Sequence, residues 1–378
     1  MGPEPRAELL GLPAAAHGGS TDPRVLDFST GVSPLAPPAE VLAAIASADL
    51  TRYPHPTALP ALLALGALHG VPPEGIVAGA GSVELIWAAA RAFGGPGRAG
   101  LVVTPAFGEY AQALRASGAG VVTVGMSAPD FALPVAAVDA ALREASARTA
   151  IALVFICRPS NPCLTAAAPD EVTALARRWP RTLFVIDEAY LPMFDGLEGV
   201  PPGANIAVLR SMTKIFALPG LRLGYLLAAA SVAAALQATL PPWNVSSPAQ
   251  AATIAAARLL PAHRAPVRRH INGLRAALAG RLAPWAGAPE QAGGPFLLYR
   301  SEDAAALVTR LRARGVVVRG CASFGLPRHI RLGVRGEAEQ ELLVHAWRGC
   351  VQEIGGGPGP GSAQASGQRS DQASMVDG

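Results

Sequence analysis

Between residues 51 and 261, short apolar runs of strand length alternate with stretches of helical periodicity. The runs fall at 75–78, 100–103, 121–124, 150–156, 182–186, 206–209 and 224–227, and helical patterns occupy 83–93, 109–117 and 170–178 among them. Strands that return parallel to a neighbour need a crossover long enough to hold a helix. The alternation therefore predicts an α/β domain: a largely parallel sheet with helices on both faces. Beyond Pro261 the pattern changes. A long Arg/Ala-rich helix over 265–282 leads into runs at 296–300, 304–314, 316–319 and 329–333, which read as a smaller α+β domain. The expected organisation is an N-terminal segment (1–50) packing on the small domain, a large domain (51–261), a small domain (262–354) and a tail (355–378). The tail is Gly, Ser, Gln and Pro with almost no apolar content, so disorder is expected there.

With 378 residues, 51% of them apolar and 15% charged, the chain can bury two cores of unequal size. Its richest apolar stretch, 226–240, is interrupted by Ser231, Gln237 and Thr239 and is too short for a membrane span. Residues 1–12 carry acids and no apolar core of a signal peptide, so a cytoplasmic protein is expected. The net charge of +4 is scattered. Its dense groups, Arg177/Arg178/Arg181 and Arg264/Arg268/Arg269, read as solvated helix faces, and no aromatics interleave with them as nucleic-acid binding would require. Cys157, Cys163, Cys321 and Cys350 lack metal-type spacing and read as free thiols in a reducing compartment; no metal site is expected.

One count narrows the chemistry. Of 31 basic residues, Lys214 is the sole lysine. Surface charge can be met by arginine, but a nucleophilic amine cannot. The surroundings of Lys214 agree with a chemical role. The run 182–186 delivers Asp187-Glu188-Ala189-Tyr190 at a strand's carboxyl end, where open α/β sheets place ligands. The next strand delivers Arg210-Ser211-Met212-Thr213-Lys214, followed by Pro219-Gly220-Leu221-Arg222: two hydroxyls, an amine and a guanidinium in one loop. Gly79-Ala80-Gly81-Ser82-Val83 follows a strand and opens a helix. It lacks the third glycine of a dinucleotide fingerprint, yet the amides of a helix start suit a phosphate.

The block from Leu209 through Lys214 and Arg222 to Tyr225 resembles the lysine motif of the fold-type I aminotransferases, which depend on pyridoxal 5'-phosphate. It is most similar to their histidinol-phosphate aminotransferase and threonine-phosphate decarboxylase branch. Arg52-Tyr53-Pro54, Thr104-Pro105-Ala106-Phe107-Gly108-Glu109-Tyr110, Ser160-Asn161-Pro162, Ile186-Asp187-Glu188-Ala189-Tyr190 and Ile330-Arg331-Leu332-Gly333 follow in the family's order. His17-Gly18-Gly19, Leu26-Asp27-Phe28-Ser29, Pro242-Trp243-Asn244-Val245 and Val318-Arg319-Gly320-Cys321 resemble the decarboxylases of cobalamin biosynthesis.

The resemblance implies a mostly parallel seven-stranded sheet and assigns roles. Lys214 would hold the cofactor as a Schiff base and shuttle protons. Asp187 would pair with the ring nitrogen, Asn161 and Tyr190 with the ring O3', and Phe107 would stack on the ring. Ser211, Thr213, Arg222 and the amides of Gly81, Ser82 and Val83 would hold the cofactor phosphate, joined by Tyr53 from a second subunit of a homodimer. Arg331 would clamp the substrate carboxylate, and His17 and Arg319 a phosphate on its side chain. The implied reaction is decarboxylation of L-threonine O-3-phosphate to aminopropanol phosphate. The alternative is transamination of histidinol phosphate or a related amino acid with 2-oxoglutarate. Three departures bear on the substrate: Cys163-Leu164 replaces a Thr-Gly turn, Ala80 an asparagine, and Gly31-Val32-Ser33-Pro34 the usual Asn-Ile-Asn-Pro.

Overall fold

A computed structural model describes residues 4–6 and 9–355 of the chain; the expected disordered tail falls outside them from residue 356 on. In chain order, a short strand β1 (Leu26–Asp27) precedes helices α1 (Ala39–Ala46) and α2 (Leu59–His69). The central elements follow: β2 (Ile76–Ala80), α3 (Ser82–Phe93), β3 (Arg98–Thr104), α4 (Glu109–Ala116), β4 (Gly120–Gly125), α5 (Val135–Ser146) and β5 (Ala150–Cys157). Then come α6 (Pro169–Arg178), β6 (Leu183–Asp187), β7 (Ile206–Ser211), β8 (Leu223–Leu227) and α7 (Ala230–Gln237).

These strands form one seven-stranded sheet in the order β2-β8-β7-β6-β5-β3-β4. Only β8 runs against its neighbours. The parallel strands β6 and β7 are buried along their whole length, which is why they read as unbroken apolar runs. Their alternate side chains feed two cores. Phe184, Ile186 and Val208 pack with α2, α6 and the long helix behind the sheet, while Val185, Ala207 and Leu209 pack with α3, α4 and α7 on the other face. After β4 the chain crosses back to the far side of β3 as β5, so a crevice opens at the carboxyl ends of β3 and β5. Such a switch point is where sheets of this kind bind ligands.

The small domain is a four-stranded antiparallel sheet, β12-β13-β10-β9, built from β9 (Gln291–Gly293), β10 (Phe296–Arg300), β12 (Arg319–Gly320) and β13 (His329–Gly333). Helices α9 (Ala304–Ala313) and α10 (Glu337–Gly355) cover it around Leu297, Tyr299, Ile330 and Trp347. The run expected at 316–319 is two pieces: β11 (Val316–Val317) leaves the sheet and pairs in parallel with β1. That pairing brings the N-terminal segment onto the small domain, whereas Val41 of α1 packs in the large domain's core.

Two expectations are corrected. The domain boundary at 261/262 falls inside a single helix, α8 (Ser247–Ala286), which spans both domains. A proline inside a helix removes one hydrogen bond and costs about 3 kcal/mol. Here Pro261 and Pro266 are outweighed by flanking anchors, Ala256, Ala257 and Leu260 before them and Val267 and Ile271 after. Arg264 and Arg268 are not on a solvated face either: α8 lies against the large domain, both are half-buried, and Arg268 Nε donates to the Pro192 carbonyl at 2.9 Å.

One buried polar contact ties α2 to β8. His69 Nε2 lies 2.7 Å from Tyr225 Oη. Burial, aided by Arg210 and Arg264, pulls the imidazole from its ordinary value of 6.5 down to about 4. The native ring therefore stays neutral while the unfolded chain takes up a proton as pH falls from about 6.5 towards 4. Stability is withdrawn across that window and not above it. His69→Gln should flatten the loss: between pH 7 and 4.5 the parent should lose about 2 kcal/mol more than the variant. Urea unfolding at several pH values measures this, and parallel pH profiles would contradict it.

Candidate active site

The carboxyl ends of β3, β5, β6 and β7, strand β13 and a strap at residues 16–18 enclose a cleft of about 260 Å³. Its walls bring together His17, Ser82, Val83, Phe107, Asn161, Asp187, Tyr190, Ser211, Thr213, Lys214, Arg222, Arg319 and Arg331. Two residues expected at the site do not line it. Gly81 sits one residue behind the wall, and Tyr53 lies on the surface, 82% exposed, with its ring 4.9 Å from that of Trp243.

Lys214 rides on a tight turn after β7 whose apolar residues Met212, Ile215 and Phe216 are buried beneath it. Phe216 stacks on His263 of α8 at 4.6 Å, and the Lys214 carbonyl accepts the Ser33 amide at 2.9 Å. The amine stands over the Tyr190 ring, 5.9 Å from its centroid. The cradle beside it is set by backbone proximity. Gly81 has φ +83°, and a Cβ there would come within 2.3 Å of the Arg222 guanidinium. A Cβ on Gly224 would lie 2.4 Å from the Gly81 carbonyl carbon and the Ser82 nitrogen. Arg222 itself is left-handed, at φ +60°. Two glycines thus let a guanidinium, a helix start and the Ser211 and Thr213 hydroxyls converge, a donor set suited to a phosphate dianion.

Asp187 closes β6 with its carboxylate buried. Burial pushes its pKa up, opposed by a hydrogen bond from Tyr110 Oη (2.7 Å), one from the Ala189 amide (2.9 Å) and the charge of Lys214. A carboxylate so placed suits a protonated ring nitrogen. Tyr110 was legible only as part of a motif. It follows Phe107 by three residues at the start of α4, which turns both rings to one side, and it stacks flat on Phe155 at 5.0 Å. Burial and the neighbouring Asp187 hold its hydroxyl well above the ordinary tyrosine range, so it remains a donor.

Arg331 reaches across from the small domain. It is buried, lies 4.1 Å over the Phe296 ring, and donates to the Asn161 side-chain oxygen and to the Ser29 carbonyl. With its oxygen occupied, Asn161 keeps its amide N–H₂ for the cleft. Arg319 donates to the carbonyls of Ala16 (2.8 Å) and His17 (3.2 Å) and to Ser323 Oγ, so one of its tasks is to hold the strap. Gly31, one of the departures, is explained by packing: a Cβ there would meet the Phe296 ring at 2.0 Å. Asn244 lies on the other side of the cradle, where it donates to Glu84 at 2.8 Å and steadies the start of α3.

A family model for class I and II aminotransferases matches residues 23–346. The chain belongs to that family. Histidinol-phosphate aminotransferase of Stenotrophomonas maltophilia is 36% identical over 312 residues, covering 80% of this chain and 85% of the relative. That of Paramagnetospirillum magneticum is 33% identical over 342 residues, covering 87% and 92%. Among solved structures, histidinol-phosphate aminotransferase of Sinorhizobium meliloti in complex with pyridoxal-5'-phosphate superposes with a TM-score of 0.78 at 26% identity, covering 86% of this chain and 90% of that one. L-threonine-O-3-phosphate decarboxylase of Porphyromonas gingivalis gives 0.73 at 22% identity, over 87% and 100%, a likeness of fold. The cofactor of this aminotransferase-family protein is pyridoxal 5'-phosphate. Lys214, Asp187 and the Gly81/Arg222 cradle fit its aldehyde, ring nitrogen and phosphate. Among the described residues no helix is long and apolar enough to cross a membrane.

Gly224→Ala places a methyl group against the cradle backbone and should weaken cofactor binding at least ~10-fold, about 1.4 kcal/mol or more. Reconstitution of the stripped protein with pyridoxal phosphate measures it, and unchanged affinity would show that this approach does not set the phosphate site.

Proposed function

We propose that the protein decarboxylates a phosphorylated α-amino acid, L-threonine O-3-phosphate. The observation that carries this reading is the pairing of two basic stations in one cleft: Arg331 at the inner end and His17 with Arg319 at the strap. A substrate carrying both a carboxylate and a phosphate matches the two stations, and bidentate guanidinium–carboxylate pairing gives the inner one its orientation.

Bound pyridoxal phosphate supplies an electron-accepting ring conjugated to the substrate Cα. The residues then divide the work. Asp187 keeps a proton on the ring nitrogen, with Tyr110 holding its carboxylate in line. Phe107 fixes the plane of the ring, and Asn161 and Tyr190 serve its phenolic oxygen. Arg331 would set the direction of the substrate carboxylate, and with it which bond of Cα is offered to the electron-accepting ring. Lys214, the sole amine, returns a proton to Cα. The strap and Phe324 wall the cleft and limit access of water.

Transamination of histidinol phosphate is the second reading. It is favoured by the names of the curated relatives, and it uses the same residues with Lys214 delivering its proton elsewhere. The homodimer is part of the proposal. Leu42, Leu50, Tyr53, Leu63 and Trp243, on α1, α2 and nearby loops, are all exposed, which suits an apolar face covered by a second copy.

Purified holoenzyme given L-threonine O-3-phosphate should release CO₂ without needing 2-oxoglutarate. Glutamate-dependent amino transfer to imidazole acetol phosphate with no CO₂ release would overturn the first reading in favour of the second. Tyr53→Ala should weaken cofactor retention by ~10-fold or more if the residue crosses a dimer interface; sedimentation as a monomer with normal retention would remove the dimer.

A further inference from the structure

We infer that Glu109, held by Trp87, is the positioning residue that orients His17 towards an anionic side chain of the substrate. The inference rests on the reading that the strap end of the cleft takes a phosphate. Glu109 is the first residue of α4, and its side chain is only 9% exposed. One carboxylate oxygen lies 2.9 Å from His17 Nε2, and the other accepts the Trp87 indole N–H at 2.6 Å. The three side chains come from α3, α4 and the strap; Glu109 is buried between a half-buried Trp87 and an exposed His17 that lines the cleft.

The chemistry of the partners fixes the sense of each bond. An indole nitrogen only donates and a carboxylate only accepts, so Glu109 is aimed by a rigid donor from behind. His17 must then carry a proton on Nε2, which leaves Nδ1 as the nitrogen available to a ligand. Only a ring that carries a hydrogen on both nitrogens has an Nδ1–H to donate to a phosphate oxygen. The order of exposure also matters. Glu109 is enclosed while the His17 side chain is 48% exposed, so an incoming anion meets the imidazole ring before the carboxylate. The Phe107 ring, 5.5 Å from that of His17, walls the same station.

Glutamine cannot replace Glu109 in this arrangement. It has a single acceptor oxygen, and its amide N–H₂ would face either the indole N–H or the His17 N–H. The test is ligand binding to the holoenzyme, read as the change in cofactor absorbance during titration with L-threonine O-3-phosphate and with L-threonine. Glu109→Gln should weaken the phosphorylated ligand ~10-fold and leave L-threonine within ~2-fold, and Trp87→Phe should give a smaller loss of the same kind. His17→Ala/Glu109→Gln should be no weaker than His17→Ala alone, since both act through one ring. Equal loss for both ligands, or additive losses in the double variant, would overturn the assignment and leave Glu109 a structural residue. The same titrations with histidinol phosphate and histidinol separate this inference from the threonine-phosphate reading. If only the histidinol pair is discriminated, that reading falls while Glu109 is judged on that pair by the same criteria. A parent enzyme that prefers neither phosphorylated ligand overturns the Glu109 proposal.

Discussion

The buried ion cluster Arg158–Glu188–Arg210 holds the working edge of the sheet. Arg158 follows β5, Glu188 follows β6 and Arg210 lies in β7, so one carboxylate joins the ends of three adjacent strands. The Arg158 contact is 2.8 Å and the Arg210 contact 2.6 Å, and the Val200 amide adds a third bond at 2.8 Å. Burial pushes the Glu188 pKa up while both arginines and that amide pull it back. Such a cluster contributes little net stability against an apolar replacement, but loss of a single partner costs about 3–5 kcal/mol because it strands a buried charge. Its effect is therefore registry. Asn161, Asp187, Ser211 and Lys214 are each within a few residues of one of its members.

That registry explains how the site is assembled from distant segments. The large domain supplies Asp187, Lys214 and the donors Ser211, Thr213 and Arg222. The small domain supplies Arg331, and the N-terminal strap supplies His17. Asn161 is the junction, since its oxygen takes the Arg331 guanidinium while its amide faces the cleft. The strap is held from both sides, by Arg319 of the small domain at its backbone and by Glu109 of the large domain at its imidazole. The position of the small domain and the shape of the substrate pocket are thus linked through named bonds.

Much of this was legible in the chain. Each of the seven apolar runs is a strand of the sheet, and the central ones read most clearly because strands buried on both faces leave a continuous hydrophobic signature. Lys214, Asp187 and Arg222 stood out because their chemistry suits the loops after neighbouring strands, whereas Arg331 was marked only by the family resemblance. Other features were not legible. The continuous helix through Pro261 and Pro266 depends on tertiary anchors that override local propensity. Tyr110 and Glu109 stand side by side in a motif, and nothing in their spacing tells that one faces Asp187 and the other His17. The Gly31 departure reads as a lost contact, yet the structure gives that space to the Phe296 ring beneath Arg331.

The amine of Lys214, set on the turn after β7, is placed to carry the cofactor in the cleft built around it. Borohydride reduction of the holoenzyme, followed by digestion and mass spectrometry, tests this directly. A pyridoxyl group is expected on the peptide containing Lys214, with loss of the visible absorbance and of activity. An enzyme that keeps its activity after reduction, with Lys214 recovered unmodified, would contradict it.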